Sequence, residues 1–262
     1  MSELPILYLD EHYVAVHKPA GLLFHRTGRA PDEEALLQRL RDQIGRYLYP
    51  IHRLDRPTSG VVLFGLSSEA ARRAGAVFTE RRVEKVYRAV ARGWTELEGS
   101  IDIALVEEEG RAPQPALTDY RRLATTELPI PVGPYETARY SLVGIRPRTG
   151  RMHQIRKHFN YIAHPLVGDV AHGDHRHNRM FKERFGIERL LLTAIRLSLI
   201  HPYSGALLVI EAAPEAELDE LFRTLGWEDW IGSQTRSTPH PASPAIAPAP
   251  APALCRPTAL QP

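Results

Sequence analysis

The stretch HRLDRPTSG, His52 to Gly60, sets one carboxylate between two guanidiniums and runs straight into the apolar segment VVLFG. Pro57 fixes its own φ, and Gly60 permits a tight reversal before the strand that follows. If Arg53 or Arg56 folds toward Asp55, the opposite charge favours the ionised carboxylate. An ionised aspartate is a poor general acid but a usable nucleophile or electrostatic stabiliser. The same nine residues also fit an aspartate that caps a turn and pairs with a neighbouring arginine.

Working outward, short strand-like runs dominate. ILYL, YVAVH, GVVLFG, KVYRAVARG, TDYRRLAT, TARYSLVGIRP, LLLTAIRLSL and ALLVIEAA all fit extended structure. His201 to Gly205 reads as the loop of a hairpin. Three helices are expected. Asp32 opens one with Leu36, Leu37, Leu40 and Ile44 on one face, Ser67 or Ser68 opens a second, and Pro214 begins a third. Strands outnumber helices without strict alternation, which favours an α+β fold with a largely antiparallel sheet.

A second cluster is RPRTGRMHQIRKHF, residues 146–159. A helix from Met152 would set His153, Arg156 and Lys157 on one side. Arg156 could pair with a carboxylate from elsewhere in the fold. Arg151, His153 and Lys157 suit a polynucleotide backbone, as does Arg56, because cationic side chains grip phosphate. A solvated basic helix is the plainer reading. Tyr87, in EKVYRAV, is either a core residue or a platform for a base. In GDVAHGDHRHNR, residues 168–179, the Asp and His content looks metal-like, but no pair has the spacing of a known motif. A positive loop touching phosphate suits it better.

Composition bounds the rest. Net charge is +2, carried entirely by Arg236 and Arg256, so residues 1–232 balance at 31 basic and 31 acidic. Charge is segregated, however. Thr137 to Gly168 holds six Lys/Arg and no acid, which can make a positive face on a neutral protein. Cys255 is the only cysteine, which excludes an intramolecular disulfide and suits a reducing cytoplasm. No window is long and apolar enough to span a bilayer, and MSELPILYLDEHY lacks the pattern of a secretory signal. Residues 233–262 are Pro/Ala-rich without periodicity and are expected to be a disordered tail on a domain of residues 1–232. No dinucleotide or Walker A pattern implies a nucleotide cofactor.

KPAGLLFH at 18–25, HRLDRPTSG, EKVYRAV at 84–90, and TGRMHQIRKHF followed by HPLVGD occur in one order. Together they resemble the RluA-type pseudouridine synthases, from about Leu4 to Trp230. The resemblance implies a mixed, mostly antiparallel sheet with a central catalytic cleft. It implies Asp55 as catalytic aspartate, Tyr87 packed against the target base, Arg156 paired with the aspartate, and Arg53 filling the stack the base leaves. Lys18, Pro19 and Gly21 match a motif whose role is mainly structural. The sequence meets that motif at once, so no N-terminal RNA-binding domain of the S4 type is expected.

RDQIG, PQPALTDYRRLATTELP, HGDHRHNR and LGW most resemble the branch that modifies tRNA at uridine 65 of the acceptor stem. The resemblance thus implies a cytoplasmic, monomeric enzyme acting on tRNA, with no membrane, metal or nucleotide cofactor. Ribosomal RNA or another tRNA site is the alternative substrate. Two other classes fit parts of the pattern. A non-catalytic RNA-binding module would use the basic faces and Tyr87 but not Asp55. A nucleoside or glycoside hydrolase would need a second carboxylate beside Asp55.

Overall fold

Two central strands, β2 (Tyr13–Lys18) and β4 (Ser59–Gly65), are buried along their whole length. Side chains alternate across a strand, so near-continuous apolar runs need cover on both faces. That cover comes from α1 (Leu36–Ile44) and α2 (Ser68–Thr79). Val14, Val16, Val62 and Phe64 pack with Leu36, Leu37 and Leu40 of α1. Ala15, Val61 and Leu63 pack on the other side with Ala70, Ala74 and Val77 of α2. The computed structural model describes residues 3–25, 34–108, 110–213 and 215–230. The expected helix openers Asp32 and Pro214, and the expected tail, lie outside these.

The remaining strands are β1 (Ile6–Leu9), β3 (Tyr49–Pro50), β5 (Val83–Arg92), β6 (Glu98–Asp102), β7 (Leu117–Leu128), β8 (Ala138–Pro147), β9 (Leu192–Ile200) and β10 (Leu207–Glu211). They form one mixed sheet in the order β1-β2-β4-β9-β5-β8-β7-β6, with β3 on β4 and β10 on β9. Every pairing is antiparallel except β4 with β9. The α+β, mostly antiparallel reading holds. All eight expected runs are strands, and β9–β10 is the expected hairpin.

The second half of the sheet is also covered twice. Ala89, Ala91, Val143 and Ile145 pack under α3 (Gln154–Tyr161) through Ile155 and Phe159. Val90, Tyr140 and Leu142 pack against α4 (His175–Phe185) and α5 (Ala216–Thr224) through Phe181, Leu221 and Phe222. α4 corrects the sequence reading, which took residues 168–179 for a loop. Asp174 caps the helix by accepting the Arg176 N–H at 3.0 Å. Gly186, at φ 69°, ends it in the left-handed conformation that glycine adopts readily.

The two halves join at the parallel pair, where Ser59 faces Thr193 and Gly60 faces Ala194. Gly60 does not make the reversal expected of it. The turn is Asp55–Thr58, closed by the Thr58 N–H to the Asp55 carbonyl at 3.1 Å. Gly60 is already in the strand, at φ 113°, and a Cβ there would lie 2.2 Å from the Ala194 carbonyl oxygen. The glycine is required by close approach.

Candidate active site

Asp55 is displayed on the turn that enters β4, and Lys18 fixes that turn. The Lys18 side chain is fully buried, and its ammonium donates to the carbonyls of Pro19, Arg56 and Thr58 at 2.8–2.9 Å. Burial, reinforced by Arg189, pulls its pKa down to about 7 against the opposing pull of Asp55. The Gly21 N–H and the Arg56 Nε–H exchange bonds with each other's carbonyls across the same two loops. The expected structural role of the Lys18–Gly21 motif is therefore a clamp on the aspartate loop.

The guanidinium partner of Asp55 is not a sequence neighbour. Arg156 NH1 approaches Asp55 Oδ2 at 3.3 Å, while Arg56 turns its Nε to Gly21 and Arg53 is exposed on the cleft wall. Arg156 is itself held by Asp169, with Nε–Oδ2 and NH2–Oδ1 both 2.7 Å. Both are at most 5% exposed. Burial pushes the Asp169 carboxyl up, but Arg156 and the N–H groups of His172 and Ala171 outweigh it and hold it below the ordinary range. Asp169 was grouped in the sequence with a metal-like string. The structure disperses that string. Asp169 goes to Arg156, His172 to His153, Asp174 to Arg92 and Arg176, and His177 to the Tyr140 hydroxyl. Among the described residues no three such groups converge to hold a metal. Asp169 closes the HPLVGD segment, but nothing in that string marks it as the partner of Arg156.

α3 begins at Gln154, two residues later than the expected start at Met152. Gln154 explains why. Its Oε1 accepts from Thr149 Oγ1 at 2.7 Å and the Arg151 N–H at 3.0 Å, while its Nε2 donates to the Leu117 carbonyl and Thr118 Oγ1. The loop before the helix is thereby stitched to β7. His153 precedes the helix at φ 55°, in the left-handed region. Its Nε2 lies 3.9 Å from Asp55 Oδ2. Lys157 turns elsewhere, to the Val106 carbonyl at 2.8 Å, and Arg151 reaches the Pro115 carbonyl at 3.2 Å. The solvated basic helix is excluded, since Arg156 and His158 face inward.

Tyr87 enters from β5 at a bulge, where the register with β9 shifts between Val86 and Tyr87. Such an irregularity re-aims a side chain. The ring is half-buried and packs against both the α1 core and the α3 core. Burial and the charge of Asp55 push its hydroxyl pKa up.

These groups line one cleft of about 580 Å³. Its walls carry six Lys/Arg side chains, and Asp55 is the one acid among the lining residues. The balanced charge of residues 1–232 thus conceals a strongly cationic pocket around a single carboxylate. Polyanions are drawn to such a concavity. The pocket falls within the size range of small-ligand sites.

Residues 12–161 match the family described as RNA pseudouridylate synthase. The chain is 46% identical over 244 residues to tRNA pseudouridine synthase C of Salmonella typhi, covering 89% of this chain and 94% of that one. It is 47% identical over 236 residues to the protein of that name from Pectobacterium carotovorum subsp. carotovorum, covering 86% of this chain but only 63% of that one. The fold is similar to human RNA pseudouridylate synthase domain containing 1, with TM-score 0.63, 26% identity, and coverage of 86% of this chain and 95% of that one. A cleft with one arginine-paired aspartate, in a chain matched this extensively, leads to one conclusion: the protein belongs to the RNA pseudouridylate synthase family of isomerases.

Proposed function

We propose that the protein isomerises uridine to pseudouridine in tRNA, with uridine 65 of the acceptor stem as target. It acts as a cytoplasmic monomer without metal or nucleotide cofactor. The observation that carries this reading is the cleft itself, one carboxylate ringed by cationic side chains. The similarity to enzymes named for tRNA supports the substrate class.

The target base leaves the helical stack, at a cost of a few kcal/mol. Arg53 fills the gap and offsets part of that cost. Tyr87 packs against the extruded base. Asp55 attacks the sugar or takes a proton from it, and the N1–C1′ bond breaks. The uracil turns, C5 joins C1′, and no atoms enter or leave. Arg156 and Lys18 keep Asp55 in place and offset its charge. Arg56, Arg151 and Lys157 hold phosphates at the rim, and His153 faces the reacting centre.

The test is site mapping. Unmodified tRNA transcripts, incubated with the protein, are treated with carbodiimide and read by primer extension. A new stop at position 65, absent when that uridine is replaced by cytidine, is expected. Stops elsewhere in tRNA or only in ribosomal RNA would overturn the substrate.

A further inference from the structure

The reaction leaves one proton unassigned. When C5 has joined C1′, the hydrogen on C5 must leave as a proton, with its bonding pair returning to the ring. We propose that the His153–His172 imidazole pair accepts the C5 proton and delivers it to solvent. This rests on the pseudouridine-synthase reading above.

Geometry selects the acceptor. Asp55 addresses the sugar at or beside C1′, and C5 is bonded to C1′ when its proton departs. The acceptor must therefore lie within a few ångströms of the Asp55 carboxylate. His153 Nε2 is 3.9 Å from Asp55 Oδ2 and lines the cleft. The other groups there are poorly suited. Arg156 is bound to Asp169 and Asp55. The Tyr87 hydroxyl is pushed up by burial and by Asp55. Lys85, although burial and Arg81 lower it to about 8, remains mostly ammonium at neutral pH and donates to the Thr149 carbonyl.

The second ring supplies the outlet. His153 Nδ1 and His172 Nε2 are 2.9 Å apart, with the rings edge to face. The His172 backbone N–H donates to Asp169 Oδ1 at 3.0 Å, so the residue that carries the second ring is held by the same carboxylate as Arg156. His172 is half-buried and reaches the surface. Burial, with Arg156, His172 and Lys157, pulls the His153 pKa below its ordinary value, against Asp55. Its lone pair is therefore available at neutral pH. The backbone carries a cost as well, since His153 is a non-glycine residue at φ 55°. Such strain concentrates at functional positions.

The step balances. The C5–H bond breaks and an Nε2–H bond forms on His153. The Nδ1 proton of His153 passes to Nε2 of His172, whose own Nδ1 proton goes to water. N1, freed from the sugar, takes one proton from water, so none is gained or lost overall.

The test uses transcripts carrying uridine, C5-deuterated uridine or 5-fluorouridine at the target, in single turnover. 5-Fluorouridine can be rejoined through C5 but has no C5 proton to lose. His153→Gln is expected to slow uridine conversion by about a hundredfold and to expose an isotope effect from C5 deuterium. It should rearrange 5-fluorouridine within about twofold of the wild-type rate. His172→Phe should show the same pattern in weaker form, and it carries the test if His153→Gln fails to bind tRNA. Equal slowing of uridine and 5-fluorouridine, or no slowing of either, overturns the proposal. Asp55→Asn should stop both substrates. If it stops neither, the underlying reading of the cleft fails instead.

Discussion

Arg156 closes a bidentate ion pair with Asp169, 2.7 Å at both contacts, and presents its remaining nitrogen to Asp55 at 3.3 Å. The guanidinium is thus set by Asp169 before any RNA arrives. Asp55 faces a cation whose position is fixed by another residue. Asp169→Asn keeps the shape but leaves the buried guanidinium with only the longer contact to Asp55 to offset its charge. Breaking a buried pair from one side costs about 3–5 kcal/mol. Denaturant unfolding should show a loss of that order, and turnover should fall with it. Wild-type stability and turnover in the variant would show that Asp169 does not set Arg156.

Lys18→Met removes the ammonium from three carbonyls, two of them in the Asp55 turn. Each buried carbonyl left unpaired costs about 1–3 kcal/mol. The variant should melt lower and lose most of its turnover while still retaining tRNA on a filter. Full turnover would mean that the aspartate loop holds its shape without the clamp.

Gly60→Ala places a methyl group 2.2 Å from the Ala194 carbonyl, at a φ of 113°. Backbone must move at the parallel pair that joins the sheet halves. A destabilisation above about 3 kcal/mol is expected from the strain and the overlap together. A calorimetric midpoint within a degree of wild type would contradict this.

His52 makes stability acid-sensitive. Its Nε2 accepts the Leu63 N–H at 3.0 Å, and its ring stacks on Phe78. Burial, with Lys85, lowers its pKa from 6.5 to about 3. Between those values the unfolded chain binds a proton that the folded one refuses. Stability therefore falls as pH drops from 6.5 toward 3. His52→Gln can still accept the N–H and does not titrate there. Melting temperature should decline less steeply with acid in the variant than in wild type, and equal slopes would refute the assignment.

The local parts of this fold were legible because their physics is local. The runs that became β2 and β4 are apolar almost throughout, as strands covered on both faces are expected to be. Leu36, Leu37 and Leu40 announced α1 by their spacing. The parallel β4–β9 contact was not legible, since it joins Gly60 to Ala194 across 134 positions. The short strands β3 and β6 carry too little apolar pattern to announce themselves. α4 was hidden by polar composition, for HRHNRMFKERF buries only Met180 and Phe181. The candidate site divides the same way. Asp55, Tyr87 and Arg156 could be picked out by residue type and motif. The partner of Arg156 could not, because 13 positions and a helix-capped turn separate it from Asp169. Arg53 and Arg56 looked like the partners of Asp55 only because they are adjacent in sequence.

The central claim is that Asp55 drives uridine isomerisation in RNA. The measurement that tests it most directly is release of tritium from tRNA transcripts whose uridines are labelled at C5, with wild-type protein and Asp55→Asn side by side. Forming the C5–C1′ bond displaces that label into water. The account predicts release by the wild type and at least a thousandfold slower release by Asp55→Asn, of the order of losing a nucleophile or base, with tRNA binding retained. Comparable release by the two proteins, or none by the wild type on RNA that it binds, would contradict it.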